Sequence, residues 1–375
     1  MVKKKTDPHK IGKNNVQELR GQILDWYDRH GRDLPWRFKN GARPDPYRVW
    51  LSEVMLQQTT VPAVMSYYTK FLEQWPDLPA LAAARQEDVL KAWAGLGYYS
   101  RARNLHACAV QIMAQGGEFP KTQKALKKLP GIGEYTSAAL MAILHNQPAV
   151  VVDGNIERVV IRLFAIRTPM PPAKTEVKEK AALVFEDCSD RPGDLAQALM
   201  DLGSEICTPT RPSCARCPIA VHCRARAEGL TDALPARERK ARKPQKRGYV
   251  YWIENGRGDV LLERRPQKGL FAGMATLPTS DWLAQKDAMP LHPPFLKGAA
   301  PGKSGDAIRH SFTHFDLALI PCRAELKAKK PPAHYFWVSK KEVAQAGLPS
   351  LFKKAANVFL NAAPRAIIKK GKRAA

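Results

Sequence analysis

The sequence predicts an all-α domain followed by an α+β domain, and three observations carry that reading. A chain of 375 residues is too long for one ordinary domain and suits two. Apolar residues recur at helical spacing through the first two thirds, with no strand alternation to compete. Near residue 233 the texture changes. Ala236–Arg247 is charged and carries no apolar stripe, so it reads as a solvated linker that can also lie along phosphates, and β-rich segments follow it.

In the first part, Val16, Leu19, Ile23 and Trp26 form one stripe behind Asn15, and Gly31 is placed to stop that helix. Tyr47–Gln58, Pro62–Trp75 and Glu87–Ala94 read as helices, the last ended by Gly95 and Gly97. So do Arg103–Ala114, Thr136–Leu144, Ile156–Ala165, Lys174–Cys188 and Asp194–Leu202. In the second part, Gly248–Glu254 and Asp259–Arg264 read as strands joined by Asn255-Gly-Arg-Gly258, a hairpin signal, and His334–Val338 as another strand. The expected boundaries are 1–232, a basic linker 233–247, a second domain 248–363 and a frayed basic tail 364–375. No internal repeat is visible.

Lys and Arg outnumber Asp and Glu by 60 to 35, a net charge of +25. Dispersal alone asks for about 2–8 charges on a small domain, so this excess points to a polyanionic partner. Ala138–Leu144 falls far short of the ~18–20 apolar residues of a membrane span, and no apolar stretch of a secretory leader follows Met1. The expectation is a cytosolic monomer in a reducing compartment, with no membrane partner.

Cys108, Cys188 and Cys322 are scattered and read as small core residues. Cys207, Cys214, Cys217 and Cys223 are spaced C-x6-C-x2-C-x5-C. Four such thiolates can hold a [4Fe–4S] cluster or a Zn²⁺ ion. Zinc ribbons usually carry two C-x2-C knuckles and this loop has one, while Pro209, Pro212 and Pro218 bend the chain into turns that can wrap a cubane.

Three further stretches carry chemistry. Leu129-Pro-Gly-Ile-Gly133 opens a helix, and Gly131 and Gly133 can turn backbone N–H groups toward an anion. Read alone, it is equally an ordinary glycine turn. Glu53 has Val49, Trp50, Leu56 and Gln57 as its helical neighbours, so its carboxyl is partly desolvated and holds a proton toward neutrality. Standing alone, it would be a glutamate at an amphipathic edge. Asp153, just before the stripe Ile156, Val159, Val160 and Leu163, caps a helix and is expected to stay ionised.

Taken together, W-L-S-E-V-M-L-Q-Q-T, G-L-G-Y-Y-x-R-A-R-N-L, L-P-G-x-G, V-D-G-N and the cysteine loop resemble the MutY-type adenine DNA glycosylases of the endonuclease III superfamily, over nearly the whole chain. The resemblance implies a helix-hairpin-helix glycosylase domain with an iron–sulfur loop, followed by a Nudix-like domain. It implies a [4Fe–4S] cluster on Cys207, Cys214, Cys217 and Cys223. The implied partner is double-stranded DNA containing A:8-oxoguanine or A:G mispairs. Glu53 is then the general acid and base, Asp153 the group facing the sugar cation, and Asn155 and Tyr135 their supports. Trp36, Arg37 and Gln197 line the adenine pocket. Gln58 and Tyr98 wedge into the duplex, Gly131 and Gly133 hold a phosphate, and Phe312, Thr313 and His314 sense 8-oxoguanine.

Tyr135 stands where strand-cutting relatives carry a Schiff-base lysine, which implies a monofunctional enzyme. Glu157 replaces a lysine of some relatives. Gly269–Pro278 resembles the start of a Nudix fold, but the glutamates that bind Mg²⁺ in Nudix hydrolases are missing, so no pyrophosphatase activity is expected. Other readings are an endonuclease III-like enzyme for oxidised pyrimidines, which would carry the lysine and lack the second domain, and an iron–sulfur DNA-binding regulator, which would not need Glu53 and Asp153. A Nudix hydrolase with a DNA-binding appendage is disfavoured by the missing glutamates.

Overall fold

A computed structural model describes residues 13–38, 42–238, 242–284, 287, 301–326, 331 and 333–361. The basic tail 364–375 and the middle of the expected linker lie outside the described residues. No helix among the described residues is long and apolar enough to cross a membrane.

The described residues fall into two compact units, one holding 1–83 and 104–240 and the other 84–103 and 241–375. The helices run α1 (Lys13–His30), α2 (Pro46–Leu56), α3 (Val61–Gln74), α4 (Leu78–Ala83), α5 (Gln86–Ala92), α6 (Ser100–Ala114), α7 (Gln123–Leu126), α8 (Glu134–His145), α9 (Gly154–Leu163), α10 (Lys174–Phe185), α11 (Pro192–Asp201) and α12 (Arg224–Ala227). Every helix expected from the apolar stripes is present within a few residues of its expected ends. The short α4, α7 and α12 are too brief to show a period.

In the first unit, α11 packs against α1, α8 and α9. Leu195, Ala196, Ala198 and Leu199 on it are buried, as are Leu19 and Ile23 of α1, Ala139 of α8 and Val160 of α9. The expected stripe of α1 is the buried face. α11 opens at Asp201 into a wider π-type turn over Leu202–Ile206, which delivers the chain to Cys207. Gly203 in that turn is required: a Cβ there would lie 2.6 Å from Asn155 Cβ and 2.9 Å from Asn155 O. Cys108, Cys188 and Cys322 are buried, as their scatter suggested.

The second unit is built on a mixed sheet of β1 (Gln245–Glu254), β2 (Val260–Arg264), β3 (Ala275–Thr276), β4 (Leu283–Ala284), β5 (Gly302–Lys303), β6 (Ile308–Ser311), β7 (Asp316–Glu325) and β8 (Tyr335–Val338). The order is β3-β2-β1-β7-β5, with β4 on β1, β6 on β7 and β8 on β2. β1 and β7 pair in parallel, Tyr249 opposite Ile320. The hairpin between β1 and β2 forms as predicted, with Asn255 Oδ1 accepting from the N–H of Arg257 at 2.9 Å and of Asp259 at 3.0 Å. The helix α13 (Ser350–Asn361) covers β1, and Phe359 stacks on Trp252 at 5.4 Å between ring centres.

The linker expectation is corrected at both ends. Leu234 is buried, and Met170 and residues 236–238 exchange backbone hydrogen bonds of 2.8 and 3.1 Å, so this stretch belongs to the first unit. At the other end β1 begins at Gln245, because Lys246 and Arg247 pair in the ladder despite their charge. Residues 84–103, counted with the helical domain on sequence, pack with the second unit: Lys353 Nζ donates to Ala94 O at 3.4 Å and Arg103 Nη1 to Ala272 O at 3.1 Å.

Candidate active site

The first unit contains a cavity of about 1070 Å³. Glu53, Tyr135, Asp153 and Asn155 line it together, as do Trp36, Arg37 and Gln197. Gln58, Gly131, Gly133 and Glu157 are on its wall as well. One cavity therefore collects the residues singled out from separate stretches of the first unit. Tyr98 and the Phe312–His314 turn belong to the second unit.

Glu53 gets its place from α2. Asp45 caps that helix, accepting from Arg48 N at 3.2 Å, and Pro46 fits its first turn, where no N–H is needed. Val49, Trp50, Val54 and Met55 around Glu53 are buried, and Glu53 itself is 6% exposed. Its Oε2 accepts from Tyr135 Oη at 2.7 Å. Burial pushes the Glu53 carboxyl up to about 7; the Tyr135 hydrogen bond works against this, Asp153 adds to it and Arg37 opposes it. Tyr135 is carried into place in the first turn of α8, and burial followed by the charges of Glu53 and Asp153 holds its phenol proton firmly.

The hairpin before α8 turns at Gly131, whose φ of +77° favours glycine and where a Cβ would meet Asn104 Cβ at 2.8 Å. Asp153 caps α9 as the sequence predicted: Oδ1 accepts from Asn155 N at 3.0 Å and Ile156 N at 2.7 Å, and Oδ2 from Asn155 Nδ2 at 3.0 Å. Burial pushes the Asp153 carboxyl above its ordinary value, and the three N–H donors, with the charge of Arg158, oppose this.

Arg158 continues the chain of contacts. Its Nη2 donates to Asn155 Oδ1 at 2.9 Å and to Gly203 O, and its Nε to Cys207 O at 2.6 Å. Arg162, one helical turn on, is fully buried and donates to Leu234 O at 2.9 Å, Thr208 O at 2.7 Å and Cys207 Sγ at 3.3 Å. Cys207, Cys214, Cys217 and Cys223 line a common small cavity with Arg162 and Arg226. Burial pushes the Cys217 thiol up to about 12 and raises Cys223, and the neighbouring sulfurs add to both. Among the described residues no three His, Cys, Asp or Glu side chains converge closely enough for a single metal ion.

On the same cavity, Arg37 is held by Asp201. Asp201 is fully buried and takes both Nη1 and Nη2 of Arg37, the latter at 2.7 Å, together with Arg32 Nε at 2.6 Å and Arg32 N at 3.0 Å. Trp36 packs edge-on against Tyr68 at 5.1 Å. Sequence reading missed Asp201, Arg32, Arg158 and Arg162. The available signal was spacing: Asp201 follows Gln197 by four residues, and Arg158 and Arg162 follow Asn155 by three and seven, each on one helix face.

In the second unit, Tyr98 is 48% exposed in a left-handed conformation, φ 47°. Arg101 sits over the rings of both Tyr98 and Trp93, and Trp93 Nε1 donates to Gly97 O at 3.1 Å. Thr313 and His314 are exposed at the turn between β6 and β7. That turn is anchored by Phe312, which packs on Phe315, His310 and Trp282, and by Phe312 N donating to Phe315 O at 2.8 Å.

Residues 51–186 match the model of the HhH-GPD superfamily of base excision DNA repair proteins, and residues 249–357 match that of the NUDIX domain. A solved thermostable thymine-DNA glycosylase superposes with a TM-score of 0.50 at 27% identity, covering 57% of this chain and 98% of its own. With two carboxyls, one buried and one half-buried, on a cavity lined also by the glycine hairpin, the fold and site define a DNA glycosylase enzyme of the helix-hairpin-helix class. The human adenine DNA glycosylase is 33% identical over 93% of this chain and 75% of its own length, and the rat protein 33% over 92% and 78%. The adenine DNA glycosylase of Buchnera aphidicola from Schizaphis graminum is 29% identical over 90% and 97%. The chain belongs to the adenine DNA glycosylase family.

The upward shift of Glu53 is also a stability statement. A carboxyl whose folded pKa is raised from 4.5 to about 7 leaves the fold unpenalised below about 4.5 and weakens it as pH rises through 7. Glu53→Gln should therefore gain stability relative to the parent between pH 5 and pH 8, by on the order of 3 kcal/mol. Urea unfolding of both proteins across that range measures the gain; a difference independent of pH contradicts it.

Proposed function

We propose that the enzyme hydrolyses the N-glycosidic bond of adenine mispaired with 8-oxoguanine or guanine in duplex DNA, as a step of base excision repair, and leaves the strand intact. The observation that supports this most is the pair of carboxyls in one cavity, with the Glu53 proton available near neutrality and Asp153 held by three N–H donors. Adenine, rotated out of the stack, enters beside Trp36, Arg37 and Gln197. Glu53 gives its proton to N7, the bond between N9 and the sugar breaks with its electron pair passing into the base, and adenine leaves neutral. Asp153 faces the sugar cation. Water adds to that cation and returns a proton to Glu53. Tyr135 and Asn155 hold the two carboxyls in register. Gln58, in a left-handed conformation, wedges beside the lesion, and the Gly131–Gly133 hairpin takes a phosphate; Tyr98, also left-handed, is a further residue assigned to the duplex.

Tyr135 has no amine to form a Schiff base, so strand cleavage is not expected. A duplex with A opposite 8-oxoguanine should yield free adenine and an unbroken strand until alkali is added. Glu53→Gln should lower the excision rate by about 10²–10⁴-fold while duplex binding persists. Excision by the variant at the parent rate, or strand scission at the parent rate of base loss, counts against the reading.

The four cysteines fit a [4Fe–4S] cluster: they line one small cavity, and burial disfavours the thiolates of Cys217 and Cys223 unless a cationic group offsets their charge. When bound, the cluster cross-links the loop and offsets the sulfur charge. Anaerobically purified protein should contain iron and acid-labile sulfide; stoichiometric zinc without iron contradicts this.

Thr313 and His314 are assigned to the base opposite adenine. Guanine N7 only accepts a hydrogen bond, whereas N7 of 8-oxoguanine carries a hydrogen that a threonine hydroxyl can accept. Thr313→Ala with His314→Ala should narrow the preference for A:8-oxoguanine over A:G by about 1–3 kcal/mol. Competitive single-turnover assays on the two duplexes measure it, and an unchanged preference gives the turn another task.

A further inference from the structure

The buried carboxylate of Asp201 has no part in the chemistry above, yet it sits one side chain away from it. It closes α11 and accepts hydrogen bonds from two arginines of one turn. Arg37 is 5% exposed, faces the cavity and lies 5.7 Å over the Tyr27 ring, whereas Arg32 is 23% exposed. Arg37 and Glu53 line the same cavity and feel each other's charge. A guanidinium left uncompensated in such a site would draw the proton off Glu53. Burial alone would raise Asp201, but the hydrogen bonds and charge of Arg37, then the charge of Arg32, outweigh burial and hold it below the ordinary carboxylate range.

We infer that Asp201 is a positioning residue for base excision: it fixes the Arg37 guanidinium on the cavity wall and cancels the charge that this guanidinium would otherwise turn on Glu53. The inference rests on the proposed role of Glu53 but not on the identity of the excised base. The groups facing Glu53 are Tyr135 from α8, Asp153 at the head of α9 and Arg37 from the turn after α1, with Asp201 of α11 behind Arg37. Of these, only Arg37 is cationic, so its compensation sets the balance.

Two variants move that balance in opposite directions. Asp201→Asn leaves both arginines uncompensated, so Glu53 should titrate lower. Arg32→Gln leaves Asp201 with one cationic partner and more net negative charge, so Glu53 should titrate higher. Each shift should be on the order of one pH unit. The readout is the ¹³C carboxyl resonance of Glu53 in the free full-length protein, assigned by its loss in Glu53→Gln. Excision on the A:8-oxoguanine duplex at pH 6 and pH 8 accompanies it, and Asp201→Asn should lose more rate at pH 8 than at pH 6. Opposite shifts support the inference. Midpoints that stay in place, or move the same way, overturn it, as does a rate loss equal at both pH values. Should Asp201→Asn fail to fold, the direction of the Arg32→Gln shift decides alone. Opposite shifts in a protein that releases no adenine would sink the proposed substrate and leave the electrostatic role standing.

Discussion

An ionised carboxylate is costly to bury without partners, and the cavity is organised around that cost at Glu53. The helix that carries it surrounds it with the buried Val49, Trp50, Val54 and Met55, and the hydrogen bond it accepts from Tyr135 only partly offsets that burial. Protonation is the cheaper state below about pH 7, and a proton held in such a cavity is available for the general acid role proposed for Glu53. Asp153 is half-buried, and three N–H donors at the head of α9 favour its charged form. The two carboxyls differ both in burial and in what donates to them.

The surrounding architecture keeps those donors and charges in place. α11 is the common support. Its end at Asp201 holds the arginine turn, and the wider turn that follows brings Gly203 against Asn155 so closely that a methyl group would not fit. Arg158 ties Asn155 to the carbonyl of Cys207, so the path of the cysteine loop reaches the Asp153 cap through two side chains, Arg158 and Asn155. The buried Arg162 fixes the same loop from one turn further along α9. A site assembled this way tolerates little movement in α9 or α11, since one shift displaces several hydrogen bonds.

Much of this was legible in the sequence, for identifiable reasons. The stripe of α1 and the cap at Asp153 are local features, written in spacing and residue type. The setting of Glu53 followed from its helical neighbours. What escaped was non-local. Asp201 looks like an ordinary polar residue near a helix end until two arginines more than 160 positions away are folded onto it. β7 escaped because Pro321 interrupts its apolar run; in the sheet that residue has no N–H to give, while its carbonyl accepts from Ser304 N at 2.8 Å. The start of β1 was hidden by charge, since Lys246 and Arg247 join the ladder through their backbones.

In the proposed reaction the Glu53 proton, held by burial, is the one delivered to the leaving base. The most direct test is the single-turnover rate of adenine release from an A:8-oxoguanine duplex, followed from pH 5.5 to pH 9 at constant ionic strength. The account predicts a rate that falls on the basic side with a midpoint near the value to which Glu53 is raised, about 7. A rate that stays level through pH 9 would contradict it.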